Sequence, residues 1–211
     1  MKKILGLAIA AVLVMALVGF GTFSYFSDQE TSNNNQITAG TLYLNINNGT
    51  TNYTIIQALT NKQPGDSGSG YAPLKNAGSL PGDFFIQTGA VTNTGATLGT
   101  GKYADGVGQL GADSQIAVWI DVNADSTFDT GDLVLKSDGT VQPFSGGLLY
   151  DTWNNFASKT WKPVIASMAS NAIVNCYINW QIPTSGPANP NEFQGDSVQL
   201  SFTFCLNQVG Q

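Results

Sequence analysis

Two stretches near the end of the chain alternate so regularly that they leave the backbone little choice. In 172–182, Val174, Cys176, Ile178, Trp180 and Ile182 fall on one side, and Ile173, Asn175, Tyr177, Asn179 and Gln181 on the other. In 198–206, Val198, Leu200, Phe202, Phe204 and Leu206 alternate with Gln199, Ser201, Thr203 and Cys205. Strand side chains alternate with period two, so both stretches read as long strands with one face in a core. The pattern returns in 41–46, where Leu42, Leu44 and Ile46 oppose Thr41, Tyr43 and Asn45, and in 116–122 around Ile116, Val118 and Ile120. Further strands are expected over 53–59, 84–92 and 133–136.

The links between these runs are turn chemistry. Leu80-Pro81-Gly82-Asp83 sets up a turn, and Asn93-Thr94-Gly95 closes the strand that follows. Residues 61–70, NKQPGDSGSG, read as a flexible loop. The Gly-rich run 95–111 reads as an exposed loop that matches no phosphate-binding pattern. Leu148, Leu149, Trp153 and Phe156 recur near helical spacing and predict one short helix. Eight or nine short strands joined this way predict an all-β fold, a two-sheet antiparallel sandwich of jelly-roll type.

Alternation also bears on the two cysteines. Cys176 falls on a core-facing position and Cys205 on an outward one. If their strands pair in one sheet, a disulfide between them needs a bulge to correct the parity. The alternative is two separate thiols, with Cys176 buried and inert.

The start of the chain has a different character. Lys2 and Lys3 precede an apolar run from Ile4 to Val18, and Thr22-Phe23-Ser24 offers small residues for a cut between Ser24 and Tyr25. This predicts a signal peptide over 1–24, with an uncleaved anchor as the competing reading. Either way the rest of the chain is directed out of the cytoplasm, and the membrane is met only through the leader. Residues 25–40 form a polar arm whose large apolar residues are Tyr25, Phe26 and Ile37. Alone, such an arm cannot bury enough surface to offset its ordering entropy. It is a disordered terminus, or a strand that pairs once a partner supplies a sheet edge. The sandwich is expected over 41–211. Asn48 and Asn52 head two N-glycosylation sequons in one polar turn, Asn48-Gly49-Thr50 and Asn52-Tyr53-Thr54.

Composition excludes several classes. The 211 residues include no Arg and no His. Without Lys2 and Lys3, six Lys face fourteen Asp and Glu, a net charge of −8. Such a chain lacks the cations that replace phosphate counterions, so nucleic acid is not an expected partner. Without His there is no HExxH zinc helix and no Ser-His-Asp or Cys-His arrangement, and the expectation is a protein that is not an enzyme.

One local constellation has chemical meaning. From Asp121 to Asp132, oxygen side chains fall at positions 1, 3, 5, 7, 9 and 12: Asp121, Asn123, Asp125, Thr127, Asp129 and Asp132. This is the spacing that wraps Ca²⁺ in hard oxygen ligands. Position 6 is Ser126 rather than Gly, and position 12 is Asp132, whose side chain is shorter than the usual Glu. The segment joins two strands, so it is not a helix-loop-helix hand. A structural Ca²⁺ is the expected cofactor, and the bland alternative is an acidic solvated turn.

Several fragments in a fixed order carry a resemblance. The leader followed by GTFSYFSDQETSNNNQITAGTLYL, then LPGD, VTNTG, WQIP and NEFQGDSVQLSFTF, resembles the TasA/camelysin family of secreted matrix-fibre proteins, which includes related bundling-pilus subunits of archaea. The likeness is strongest at both ends and loose from Gly99 to Ala169. It implies a jelly-roll subunit, trimmed near Ser24, that polymerises with itself by inserting its N-terminal segment, here 25–38, as a strand into the next subunit. Other matrix or surface proteins are possible co-assembly partners. Some members of the family carry a metalloprotease annotation, which the residues of this chain do not support. The alternative is a monomeric calcium-dependent surface adhesin or carbohydrate-binding module, with outward aromatics such as Tyr43, Trp119 and Tyr177 as a sugar platform.

Overall fold

The computed structural model describes residues 41–46, 54–60, 62–95, 108–184 and 195–209. The leader, the arm with Ser24, Tyr25, Phe26 and Ile37, and the sequon residues Asn48 and Asn52 lie outside them. Twelve strands are present: β1 Leu44–Ile46, β2 Thr54–Thr60, β3 Ser67–Asn76, β4 Gly82–Thr88, β5 Thr92–Thr94, β6 Gln115–Asp121, β7 Leu133–Leu135, β8 Val141–Pro143, β9 Asp151–Thr152, β10 Thr160–Met168, β11 Ile173–Gln181 and β12 Ser197–Gln208.

They form two antiparallel sheets. The first runs β1-β3-β11-β6-β7-β8, with β9 also pairing β6, and the second runs β10-β4-β12-β2, with β5 also pairing β12. The chain therefore passes back and forth between layers, β1 in the first, β2 in the second, β3 in the first and β4 in the second, as in a jelly roll. This is the all-β sandwich that the alternation implies.

The inner faces are those the period-two pattern selects. Val174, Cys176 and Ile178 of β11 meet Val198, Leu200, Phe202 and Phe204 of β12 in one core with Leu74, Phe84, Ile86, Val118, Ile120 and Trp161. Each large apolar side chain buried there contributes about 1.5–3 kcal/mol. Trp153 and Phe156 close the core from a single 3-10 turn, Trp153–Phe156. That turn is all that forms of the expected helix, since Leu148 and Leu149 lie outside it.

Three expectations are corrected. Residues 67–70 belong to β3 rather than to a flexible loop. The glycines there serve packing, because a Cβ at Gly68 would come within 2.8 Å of the Trp180 ring that lies across it from β11. Residues 110–111 are buried rather than exposed, in a one-turn helix, α1, Leu110–Asp113, with Leu110 in the core. β10 was not expected at all: Thr160, Lys162 and Pro163 are exposed, and Trp161, Val164 and Met168 are buried across its register shifts, with Ile165 packed partly against the core.

Candidate functional site

The outer face of the seven-stranded sheet is where the chain departs from plain sandwich packing. Strand register aligns Tyr71 of β3, Tyr177 of β11 and Trp119 of β6 in one row. Neighbouring strands lie about 4.8 Å apart, so rings at facing positions stack. Tyr71 and Tyr177 stack with centroids 5.2 Å apart, and Tyr177 and Trp119 with centroids 4.3 Å apart and planes 8° from parallel. Trp119 donates its indole N–H to Asn179 Oδ1 at 2.9 Å. Beyond Trp119 the row is capped by Phe128, which in turn meets Phe144 edge-on at 4.8 Å. Trp119 is therefore 4 % exposed although it sits on the outer face, whereas Tyr71 at the other end is 62 % exposed.

This geometry corrects the sugar-platform expectation. Ring faces in the row lie against one another, so Trp119 and Tyr177 offer no flat surface to solvent, and the open ring face is that of Tyr71. Tyr43 lies on the stretch leading into β1, where its carbonyl accepts from Ala77 N–H, and is not part of the row.

Phe128 arrives from the acidic loop, which leaves β6 at Asp121 and returns at Asp132. Both end carboxylates are buried, Asp121 at 0 % and Asp132 at 1 % exposure. Asp121 accepts from the backbone N–H groups of Asp125 at 3.2 Å and Ser126 at 2.8 Å, and from Asn175 Nδ2 at 3.1 Å. Asp132 accepts from Val122 N–H at 3.1 Å and Asp129 N–H at 3.0 Å. Asp125 accepts from Thr127 N–H at 2.8 Å and Asn123 Nδ2 at 2.8 Å. Burial pushes the Asp132 carboxyl above its ordinary range, helped by the charges of Asp121 and Asp129 and opposed by its two N–H donors. Ser126, where a calcium hand carries Gly, has φ of 68° and so adopts the left-handed backbone that Gly would supply. Asn123, Asp125 and Thr127 are exposed and Asp129 is half-buried. Among the described residues, no three His, Cys, Asp or Glu side chains converge as a ready metal cage.

The third feature is a sheet edge. β1 pairs β3 only from Leu74 to Asn76. On that side, Ser67 to Pro73 have no strand partner among the described residues. The described chain enters at the opposite end, where Thr41 N–H donates to Ser79 Oγ at 2.8 Å and Thr41 O accepts from Leu80 N–H.

The cysteines stand apart from all of this. Cys176 is in the first sheet and Cys205 in the second, and both thiols are free. The disulfide considered from sequence is not formed, because the two strands belong to opposite layers and only Cys176 faces the gap between them. Burial pushes the Cys176 thiol up to about 12 and also raises Cys205.

Tyr71, Phe128 and Phe144 were missed by sequence reading. Tyr71 sat next to a supposed Gly-Ser loop, and the signal that would have found it was the alternation of Ala72 and Leu74 with Tyr71, Pro73 and Lys75. Phe128 and Phe144 lie in loops, where no periodicity reports on a side chain.

The described residues thus form a two-layer β-sandwich with an aromatic outer row, an acidic loop and a stretch of sheet edge that has no strand partner among them. The family model described as camelysin metallo-endopeptidase matches residues 1–99, so over that stretch the chain is similar to the TasA/camelysin family, which is associated with the cell surface and the extracellular space. No curated protein matches the chain. The family's printed name implies a metal-dependent peptidase. The matched stretch contains four carboxylates, Asp28, Glu30, Asp66 and Asp83, with no His and no Cys. Asp66 accepts from Gln63 N–H, and Asp83 from Ser167 N–H. These residues do not fit a peptidase zinc centre, which draws on imidazole or thiolate alongside carboxylate. No helix among the described residues is long and apolar enough to cross a membrane.

Proposed function

We propose that this protein is a non-catalytic structural subunit of an extracellular filament or matrix fibre, assembled head to tail when residues 25–38 of one molecule add as a strand to the next. The observation that carries this reading is the side of β3 from Ser67 to Pro73, which has no strand partner among the described residues. An open edge presents a row of main-chain donors and acceptors that a second strand satisfies. At about 3.3 Å per residue the open stretch is roughly 23 Å long and the arm roughly 46 Å, so the arm reaches along all of it. The arm's own sandwich begins at Thr41, against Ser79 and Leu80, which is the end of β3 remote from Ser67. Release of the leader near Ser24 would free the arm and so start assembly.

The test is negative-stain electron microscopy of the chain beginning at Tyr25 beside a chain beginning at Thr41. Filaments from the first and monomers from the second are expected. Monomers from both would overturn the reading and favour the monomeric adhesin.

Calcium is a second element of the proposal, as a clamp on the sandwich rather than a catalyst, with Asp121, Asn123, Asp125, Thr127, Asp129 and Asp132 as ligands. What supports it is the pair Asp121 and Asp132, two carboxylates buried side by side in a loop of four acids whose named partners are dipoles and not cations. Buried charge of one sign is costly until it is compensated.

A further inference from the structure

We infer that the arm docks in one antiparallel register set by aromatic chemistry, with Tyr25 of a second copy stacking on the exposed ring face of Tyr71 and Phe26 lying over the side-chain-free inner face at Gly70. The inference rests on strand donation and says where and how the strand is read.

The outer face supplies the first argument. The ring row advances one strand at a time, from Trp119 on β6 to Tyr177 on β11 to Tyr71 on β3. Its spacings of 4.3 and 5.2 Å are those of adjacent strands. Tyr71 ends the row on the strand whose edge has no partner there among the described residues, and it is 62 % exposed, the most exposed of the large apolar side chains on the described surface. A strand added to that edge places one residue directly opposite Tyr71, and an aromatic there continues the row with the same stacking.

The inner face supplies the second. Side chains of β3 that point inward along the open stretch are those of Gly68, Gly70 and Ala72, which register with Trp180, Ile178 and Cys176. Trp180 already leans across Gly68, at 2.8 Å from where a Cβ would stand. This inner surface at the edge is flat and apolar, and it suits a large apolar side chain from the added strand.

The arm supplies the third. Tyr25 and Phe26 are adjacent, so in a strand they point to opposite faces. The hydroxyl-bearing ring suits the outer face, where its O–H stays in water, and the wholly apolar ring suits the inner one. In this register the pairing ends at Gln29 opposite Ser67, and Ile37, the arm's other large apolar residue, falls beyond it. This strand position sets Tyr25 on the outer face and Phe26 on the inner face at once. An Asn-rich arm with weak alternation otherwise leaves its register unset.

Disulfide trapping tests this with chains beginning at residue 25 in a Cys205→Ser background. Tyr25→Cys is mixed with Tyr71→Cys under oxidised glutathione, with Ser32→Cys replacing Tyr25→Cys as the control. The expected result is an intermolecular 25–71 crosslink in at least tenfold excess over 32–71. The critical concentration for filaments is read in parallel: Tyr71→Ala raises it about threefold to tenfold, and Tyr71→Phe leaves it unchanged. If the parent chain forms no filaments, strand donation itself falls. If it forms filaments while 25–71 is not trapped and Tyr71→Ala assembles like the parent, this inference falls and strand donation stands. Continued pairing of β1 along β3 would bring Gly49 opposite Tyr71, so a crosslink within one chain in the Gly49→Cys, Tyr71→Cys double variant would also overturn the inference.

Discussion

The ring of Phe128 packs on that of Trp119 at a centroid separation of 5.0 Å and a tilt of 59°. Residue 128 lies within the acidic loop, and residue 119 is on the strand that feeds it. The order of the loop and the packing of the outer sheet face are thereby one structural unit. Phe128→Ala removes this contact and the edge-on contact with Phe144. We expect a loss of about 2 kcal/mol, less than for a core aromatic because Phe128 is half-buried. Trp119 gains water while Trp153 and Trp161 stay buried, so tryptophan emission moves to the red in the folded variant. An unchanged spectrum with unchanged urea stability would show that the loop does not depend on this contact.

Asp132 gives a pH signature. Its folded pKa is raised, chiefly by burial. A raised carboxylate contributes stability that is complete below its unfolded pKa of about 3.9 and is lost as pH climbs through the folded value. In EDTA, the unfolding free energy of Asp132→Asn relative to the parent should therefore rise between pH 3 and pH 7. If calcium binds the loop as proposed, it is expected to reverse the ranking at pH 7. At a hundredfold excess over Kd a bound ion adds about 2.7 kcal/mol to the parent, and the variant gains little. Equal calcium responses in urea titrations of the two proteins would remove Asp132 from the ligand set.

The two thiols should behave as different reagents. Cys176, with its pKa near 12 and no exposure, is expected to resist a thiol-labelling reagent in the folded protein at pH 8, while Cys205 labels. Cys176→Ser puts a hydroxyl into the core and costs about 1–3 kcal/mol, and Cys205→Ser is within about 0.5 kcal/mol of the parent. Two equal labelling rates would contradict the layer assignment of β11.

Gly68→Ala probes the surface at the open edge. The added methyl meets the Trp180 ring at 2.8 Å, and Trp180 also carries Lys62 Nζ 5.0 Å from its ring centroid. Trp180 must shift, and we expect a cost of about 1–3 kcal/mol by thermal or urea unfolding. A neutral substitution would mean that Trp180 moves freely and that the inner face at this edge is not shaped by packing.

Much of the architecture was legible because β11 and β12 alternate over nine residues or more, and alternation reports directly on which side of a strand is dry. β10 and the first half of β3 were not legible, for opposite reasons. In β10 the register shifts break the period, so Trp161, Val164 and Met168 do not fall at even spacing. In β3 the inward positions are glycines, which carry no hydropathy signal, yet they are required because Trp180 occupies the space their side chains would fill. The acidic loop was visible as a spacing of oxygen residues, but spacing says nothing of burial, and the burial of Asp121 and Asp132 is what makes their like charge matter.

The order of residues along the chain was by itself enough to give two alternating core strands and an acidic loop between strands, because each is a local pattern of hydropathy or charge. Only the tertiary structure decided which rings meet across strands, which carboxylates lose water and where, among the described residues, a sheet edge has no partner. Those outcomes depend on register and layer. Register aligns Tyr71, Tyr177 and Trp119 from positions 71, 177 and 119, and layer parts Cys176 from Cys205, across sequence separations that no local pattern records.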